Sequence, residues 1–174
     1  MFIQPASVRP ATADRRDRCP CRCSSVERGG GRVVKYHENM ISRETITTEL
    51  NVLEKFNPVL NPEFSSSEIV LLGNLHPAVQ NAVINQSTNP NRFIIMDTMN
   101  FWMDNTLDEL LSVIKKVNLV IINDEEAQQL TGEKNIFNAG EKTLKMGPEK
   151  VIIKKGEHGS IYLDAQNKYC LLYT

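Results

Sequence analysis

Two polar residues that could organise phosphate chemistry, Asn123 and Glu126, follow the apolar run at residues 120–122. Asparagine is a favoured helix N-cap, and a helix N-terminus exposes unpaired N–H groups that carry a partial positive charge. Such an end can bind phosphate, and carboxylates in its first turn can hold a hydrated cation. The same pattern is also ordinary helix capping, so this segment by itself leaves both interpretations open.

A second candidate is the turn between Gly156 and Gly159, which follows an apolar run that ends in Lys154 and Lys155. Glycine at both ends of a turn lets the backbone approach a ligand closely, and the two lysines would supply charge for phosphate. The alternative interpretation is a hairpin turn with solvated lysines. The residues of the turn do not decide between the two.

The elements that would carry these residues alternate between strands and helices along the chain. Strands are predicted for the apolar runs at residues 69–72, 92–97, 117–122 and 150–155. Helices are predicted where apolar residues recur at helical spacing, over residues 107–114 and 136–146. Apolar strands separated by helices are typical of an α/β fold with a parallel sheet, helices on both faces and right-handed connections.

The carboxyl ends of these predicted strands are the expected ligand site, because ligands of parallel sheets bind beyond those ends. Four polar residues fall there, namely Asp97, Asn100, Asn123 and Glu126. Beyond the glycine turn, residues 160–163 alternate between apolar and polar side chains, which predicts a strand at the edge of the sheet.

In their order and spacing, these segments resemble the ribokinase-like (PfkB) carbohydrate and nucleoside kinases. Asp97 and Asn100 match an Asp-x-x-Asn region of that family. Asn123 and Glu126 match its Asn-x-x-Glu motif. Residues 151–159 are similar to the strand and glycine turn that lie beside the nucleotide in the family.

The resemblance covers residues 32–162 and implies a three-layer α-β-α core with a parallel sheet. It implies phosphoryl transfer from ATP, assisted by Mg²⁺, to a hydroxyl of a sugar or nucleoside. It assigns the nucleotide side to Asn123, Glu126, Lys154, Gly156 and Gly159. Of these, Asn123 and Glu126 would organise the metal ion.

The acceptor side is assigned by the same resemblance to Asp97 and Asn100. Asp97 has an alternative structural role, since it could cap the turn into the following helix. Phosphoryl transfer needs positioning and charge neutralisation more than covalent help from the protein, which is why acids, a divalent cation and helix N-termini recur in such sites.

The sequence also departs from the family pattern. It contains no Gly-Ala-Gly-Asp segment, whose Asp is the base for the acceptor hydroxyl in the family, and it lacks the long first half with a di-glycine motif and most sugar contacts. We therefore expect a fragment of a kinase domain that is inactive by itself and exposes strand edges that favour aggregation or a partner. The alternative is a non-catalytic binding or interaction module on the same scaffold.

Residues 1–31 differ from the rest, because arginines lie among serine, proline and glycine before a run of three glycines. This composition predicts a disordered or unrelated segment, and leaves residues 32–174 as the partial kinase domain. Residues 33–37 and 43–50 are predicted to form either a remnant of the small β lid of the family or part of the sheet edge. Lids of this kind often mediate dimers in the family, so a homodimer is an expected partner state.

Composition limits the remaining function classes. The formal net charge of −1 argues against nucleic-acid or membrane binding, and 41% hydrophobic with 24% charged residues is typical of globular domains. No apolar run is long enough for a signal peptide or a membrane span, so we expect a cytoplasmic protein.

Other reactive residue types are weaker candidates for a site. Cys19, Cys21 and Cys23 are spaced poorly for zinc, and incidental reduced thiols are the favoured interpretation. His76 precedes a proline and is predicted at a helix start. Trp102 is predicted to pack in the core rather than to stack on a base.

Overall fold

The computed structural model describes residues 31–36 and 43–172, which fall into two compact units divided between Phe56 and Asn57. The smaller unit contains an antiparallel pair, β1 (Gly31–Tyr36) and β2 (Arg43–Glu49), followed by a 3₁₀ turn at Asn51–Lys55. These two strands form a separate sheet. The sequence-based alternative that they belong to the edge of the main sheet is therefore wrong. The predictions for residues 1–30, including Cys19, Cys21 and Cys23, lie outside the described residues.

The larger unit contains a six-stranded sheet whose strands follow one another in chain order. The strands are β3 (Ile69–Leu72), β4 (Phe93–Asp97), β5 (Leu119–Asn123), β6 (Lys150–Lys154), β7 (Ser160–Asp164) and β8 (Lys168–Leu171). The helices are α1 (Pro62–Ser65), α2 (Pro77–Gln86), α3 (Asn100–Asn105), α4 (Leu107–Ile114), α5 (Asp124–Thr131) and α6 (Ile136–Leu144). The strands from β3 to β6 are parallel, β7 pairs antiparallel with β6, and β8 pairs antiparallel with β7. The predicted α/β class with a parallel-dominated sheet is confirmed.

One face of this sheet forms the core. Each right-handed connection steps to the next strand in the same direction, which places the connecting helices on the same face. The side chains of that face are buried: Val70, Leu72, Ile94, Met96, Val120, Ile122, Val151, Ile153, Ile161 and Leu163. Gly140 lets α6 pack closely on β7, because a Cβ at this position would lie 2.7 Å from Cδ1 of Leu163. Within residues 57–172 the connecting helices form one of the two helical layers that the sequence predicted.

The opposite face of the sheet is less buried. Its central side chains, Ile95, Ile121, Ile152 and Tyr162, are half-buried, and Ile69 on the outer strand β3 is 62% exposed. Because parallel strands with continuous apolar sequence are stable when both faces are covered, this face is the weaker packed side of the larger unit.

The position of β7 corrects a sequence-based prediction. We expected residues 160–163 at the sheet edge, but β8 pairs with the outer side of β7, so β7 is internal. The hairpin between them is closed by Asp164, whose Oδ1 accepts the N–H groups of Gln166 at 2.8 Å and Asn167 at 2.7 Å. All four residues of β8 are exposed, and its sequence Lys-Tyr-Cys-Leu does not alternate between apolar and polar side chains as a half-buried strand would.

Candidate functional site

The carboxyl ends of β4, β5 and β6 bring three of the predicted site residues together. Asp97 is in register with Ile121, and Asn123 is in register with Lys154. Partners in register project to the same face, as do alternate residues of one strand. Asp97, Asn123 and Lys154 therefore project from the same face of the sheet, the half-buried one.

The N-terminus of α5 is closed by a reciprocal cap. The Oδ1 of Asn123 accepts the backbone N–H of Glu126 at 2.7 Å, and Oε2 of Glu126 accepts the backbone N–H of Asn123 at 2.8 Å. Glu126 is only 6% exposed, so its carboxylate is held at the end of the helix where the N–H groups carry partial positive charge. The predicted N-cap is confirmed, and phosphate and metal binding at the same residues remain predictions.

Lys154 contacts the strand two positions away. Its Nζ lies 3.4 Å from Oδ1 of Asp97, so the lysine side chain reaches across β5. The side chains are 49% and 38% exposed, and an ion pair this exposed contributes about 0–1 kcal/mol to stability. The resemblance assigned these residues to different substrates, whereas the structure brings them into contact.

Asn100 contacts α5 through a residue that sequence reasoning missed. Its Nδ2 donates to Oε1 of Gln129 at 2.6 Å, and Nε2 of Gln129 donates to Oδ1 of Asp104 at 2.7 Å. Gln129 lies one helical turn after Glu126, and this spacing is the only sequence signal that could have indicated it. Asn100 therefore joins the start of α3 to α5.

The glycine turn has a structural explanation at one of its two ends. Gly159 is buried at a φ of 88°, and a Cβ there would lie 1.9 Å from the carbonyl oxygen of Leu171. Gly156 has a φ of 56° and its Cβ would meet no atom within 4 Å. The end of β8 therefore requires glycine at position 159, while position 156 requires it only for backbone conformation. Nucleotide binding by both remains a prediction.

Gln80 is a second residue that the sequence analysis did not select. It is 2% exposed, and its Nε2 donates to the carbonyl oxygens of Gly73 at 2.9 Å and Asp97 at 3.1 Å. These bonds join the carboxyl ends of β3 and β4. In the sequence, Gln80 could have been noticed as a polar residue among the apolar residues that α2 buries. Among the described residues, Oε1 of Gln80 and Oγ1 of Thr98 are buried without a hydrogen-bond partner.

Trp102 packs beside this edge, as predicted. It is 3% exposed, and its Nε1 donates to Oδ1 of Asn74 at 2.8 Å. The centroid of its ring lies 5.0 Å from that of His76, in an edge-on arrangement. His76 is the N-cap of α2, because its Nδ1 accepts the N–H of Ala78 at 3.1 Å. Both residues thus have structural roles.

The family profile described as pfkB family carbohydrate kinase matches residues 20–172. The chain belongs to this family. No curated protein matches the sequence. Within the part of the chain that the structure describes, no helix has the length and apolar character needed to cross a membrane.

Solved structures show the same fold as this pfkB family member. The adenosine kinase from Sinorhizobium meliloti is 15% identical, with a TM-score of 0.67 over 83% of this chain and 47% of its own. Ribokinase from Thermotoga maritima is 19% identical, with a TM-score of 0.61 over 85% and 49%. A putative ribokinase II from E. coli, in complex with ATP and Mg²⁺, is 16% identical, with a TM-score of 0.64 over 86% and 51%. The chain thus spans 47–51% of the length of these structures.

Proposed function

We propose that the chain supplies the magnesium and nucleotide side of an ATP-dependent carbohydrate or nucleoside kinase domain. One observation carries this proposal, namely that the capped N-terminus of α5 and Lys154 lie together at the carboxyl edge of the sheet. A helix N-terminus and a lysine are groups that bind phosphate, and the edge is where parallel sheets bind ligands. The match to the pfkB family supports the same assignment.

The residues present fit a magnesium ion. Mg²⁺ prefers hard oxygen ligands and is usually held by one or two carboxylates together with substrate phosphates. Glu126 would provide the carboxylate and Asn123 the amide oxygen, and a carboxylate offers about four acceptor sites, so the cap and a cation can share it. When bound, the ion would neutralise the charge that develops on the phosphates.

The remaining nucleotide contacts would come from β6 and the turn after it. Lys154 would place its ammonium against the phosphates, and Gly156 and Gly159 would let the backbone lie beside the nucleotide. Gly156 suits this role better, because a Cβ built at this position would meet no atom within 4 Å, whereas β8 lies against Gly159.

Asp97 and Asn100 are proposed for the acceptor side, where a sugar or nucleoside hydroxyl would be bound. Residues 1–174 contain no Gly-Ala-Gly-Asp segment to supply the base. We therefore expect this chain by itself to bind ATP without rapid phosphoryl transfer, since a missing base costs about 10²- to 10⁴-fold in rate. A cytoplasmic location, dimerisation through the β1–β2 pair and lack of nucleic-acid or membrane binding belong to the same proposal.

A non-catalytic binding module is the second candidate. The observation that favours it is the reciprocal cap of α5, which gives the side chains of Asn123 and Glu126 a structural role without any ligand. A module of this kind would keep the scaffold without requiring Glu126 for metal-dependent binding.

Calorimetric titration of the full chain with ATP, with and without Mg²⁺, separates the two candidates. Glu126→Gln keeps an oxygen for the cap but removes the charge, so we expect it to weaken magnesium-dependent ATP binding by about tenfold or more. The matched control is Glu125→Gln on the exposed side of the same turn, which should bind like the wild type. Equal ATP binding by the Glu126 variant would contradict the metal assignment, and no ATP binding by the wild type would favour the binding module.

A further inference from the structure

The distance between Asp97 and Lys154 is short for residues on these strands. β4 and β6 are separated by β5, and neighbouring strands lie about 4.8 Å apart. The Nζ of Lys154 nevertheless lies 3.4 Å from Oδ1 of Asp97, because both residues project from the same face and the lysine stem extends across β5. The ammonium group therefore lies over the carboxyl end of β5, the strand that leads into the capped helix α5.

The acidic partner in this pair is anchored through its own backbone. Gln80, which is almost fully buried, donates its Nε2 to the carbonyl oxygen of Asp97 at 3.1 Å. Lys154 has a long side chain that is 49% exposed. A flexible side chain of this kind loses rotamer freedom when it is held in one place, so its position depends on the contact that holds it.

We infer that Asp97 is a positioning residue for Lys154, holding its ammonium at the mouth of the nucleotide site. This inference rests on the proposed function and changes the role of the first residue of the Asp-x-x-Asn region. Asp97 would act on the nucleotide through Lys154, in addition to any contact with the acceptor. A residue assigned to the acceptor side, Asp97, would thereby determine where the positive charge of Lys154 lies on the nucleotide side.

The expected effect is small because both side chains are partly exposed. An exposed ion pair contributes about 0.2–1 kcal/mol, so loss of Asp97 should weaken ATP binding by about 1.4- to 5-fold. Removing a negative charge near phosphates would by itself have the opposite effect and strengthen binding. The direction of the change therefore distinguishes positioning from simple charge repulsion.

A double-mutant cycle on magnesium-dependent ATP affinity tests the inference in the full chain. Asp97→Asn keeps the shape and the carbonyl that Gln80 contacts. We expect it to weaken ATP binding in the wild-type background but not in the Lys154→Met background, and we expect Asp97→Glu to restore part of the affinity. Weakening of equal size in both backgrounds, or stronger binding in both, would overturn the inference.

A measurement without nucleotide separates this inference from the proposed function. The NMR order parameter of the Lys154 Cε methylene should fall in Asp97→Asn, while that of the neighbouring Lys155 stays unchanged. An unchanged value for Lys154 would overturn the positioning role whatever the ATP result. If the wild type binds no ATP, the proposed function fails together with the nucleotide part of the inference, and the order parameter alone decides whether Asp97 holds Lys154.

Discussion

Asn123 and Glu126 cap each other across the first turn of α5, with two hydrogen bonds of 2.7 and 2.8 Å between backbone N–H groups and side-chain oxygens. This arrangement gives both residues a part in helix stability. Replacing an N-cap asparagine by alanine costs about 0.5–2 kcal/mol, so Asn123→Ala should lower the free energy of unfolding by that amount in urea denaturation.

Asn135 provides the matched control for the cap, since its Oδ1 accepts the N–H groups of Phe137 and Asn138 at the start of α6. Asn135→Ala should cost a similar free energy of unfolding without changing ATP affinity. Asn123→Ala should weaken ATP binding as well. Equal ATP binding by the two variants would remove Asn123 from the nucleotide site.

The two glycines of the turn should differ in their tolerance of alanine. At Gly156 the left-handed backbone costs about 1–2 kcal/mol and no clash follows. At Gly159 the backbone conformation is one that only glycine adopts readily, and the new Cβ would collide with Leu171. We expect Gly159→Ala to cost at least about 2 kcal/mol in chemical denaturation and to weaken amide-exchange protection in β8. Equal costs at the two positions would contradict the close contact with β8.

Ile152 and Ile153 are neighbours on β6 that face opposite sides of the sheet. Ile153 is fully buried against the helical layer, whereas Ile152 is half-buried on the other face. We expect Ile153→Ala to lower the free energy of unfolding by about 2–5 kcal/mol, and Ile152→Ala to cost about half of that or less. Thermal and urea unfolding of both variants check this, and similar costs would show that the second face is covered in solution.

Asp164 should make the stability of the β7–β8 hairpin depend on acid pH. The hydroxyl of Tyr162 donates to its Oδ2 at 2.7 Å, and together with the backbone N–H groups of Gln166 and Asn167 it lowers the pKa of Asp164 from 3.8 to about 2. Because the folded pKa is depressed, the stabilisation is fully present above pH 3.8 and is lost as the pH falls through about 2.

NMR titration of the Asp164 carboxyl carbon gives this pKa directly. Asp164→Asn should abolish the part of the acid destabilisation of the hairpin that falls between the unfolded and folded pKa values. The pKa of the Tyr162 hydroxyl is raised by the same hydrogen bond and by partial desolvation, so the tyrosine should ionise at higher pH than usual in the wild type and at a lower pH in the variant than in the wild type. A normal pKa for Asp164 would contradict the observed hydrogen bonds.

The sequence by itself determined the elements whose chemistry is local. The strands β3 to β6, the helices α4 and α6 and the N-cap at Asn123 depend on residues within a few positions of one another, and each was predicted near its observed bounds. The family was equally readable, because its motifs are short and ordered along the chain.

Only the tertiary structure decided which distant residues meet. Asp97 and Lys154 are 57 positions apart, and their contact depends on strand order, register and the reach of one side chain. The same is true of the Asn100–Gln129 bond. The internal place of β7 depends on β8, whose four residues are all exposed and do not alternate between apolar and polar side chains. Local propensity fixes a strand or a cap, whereas contacts across the sheet exist only once every strand is paired in register.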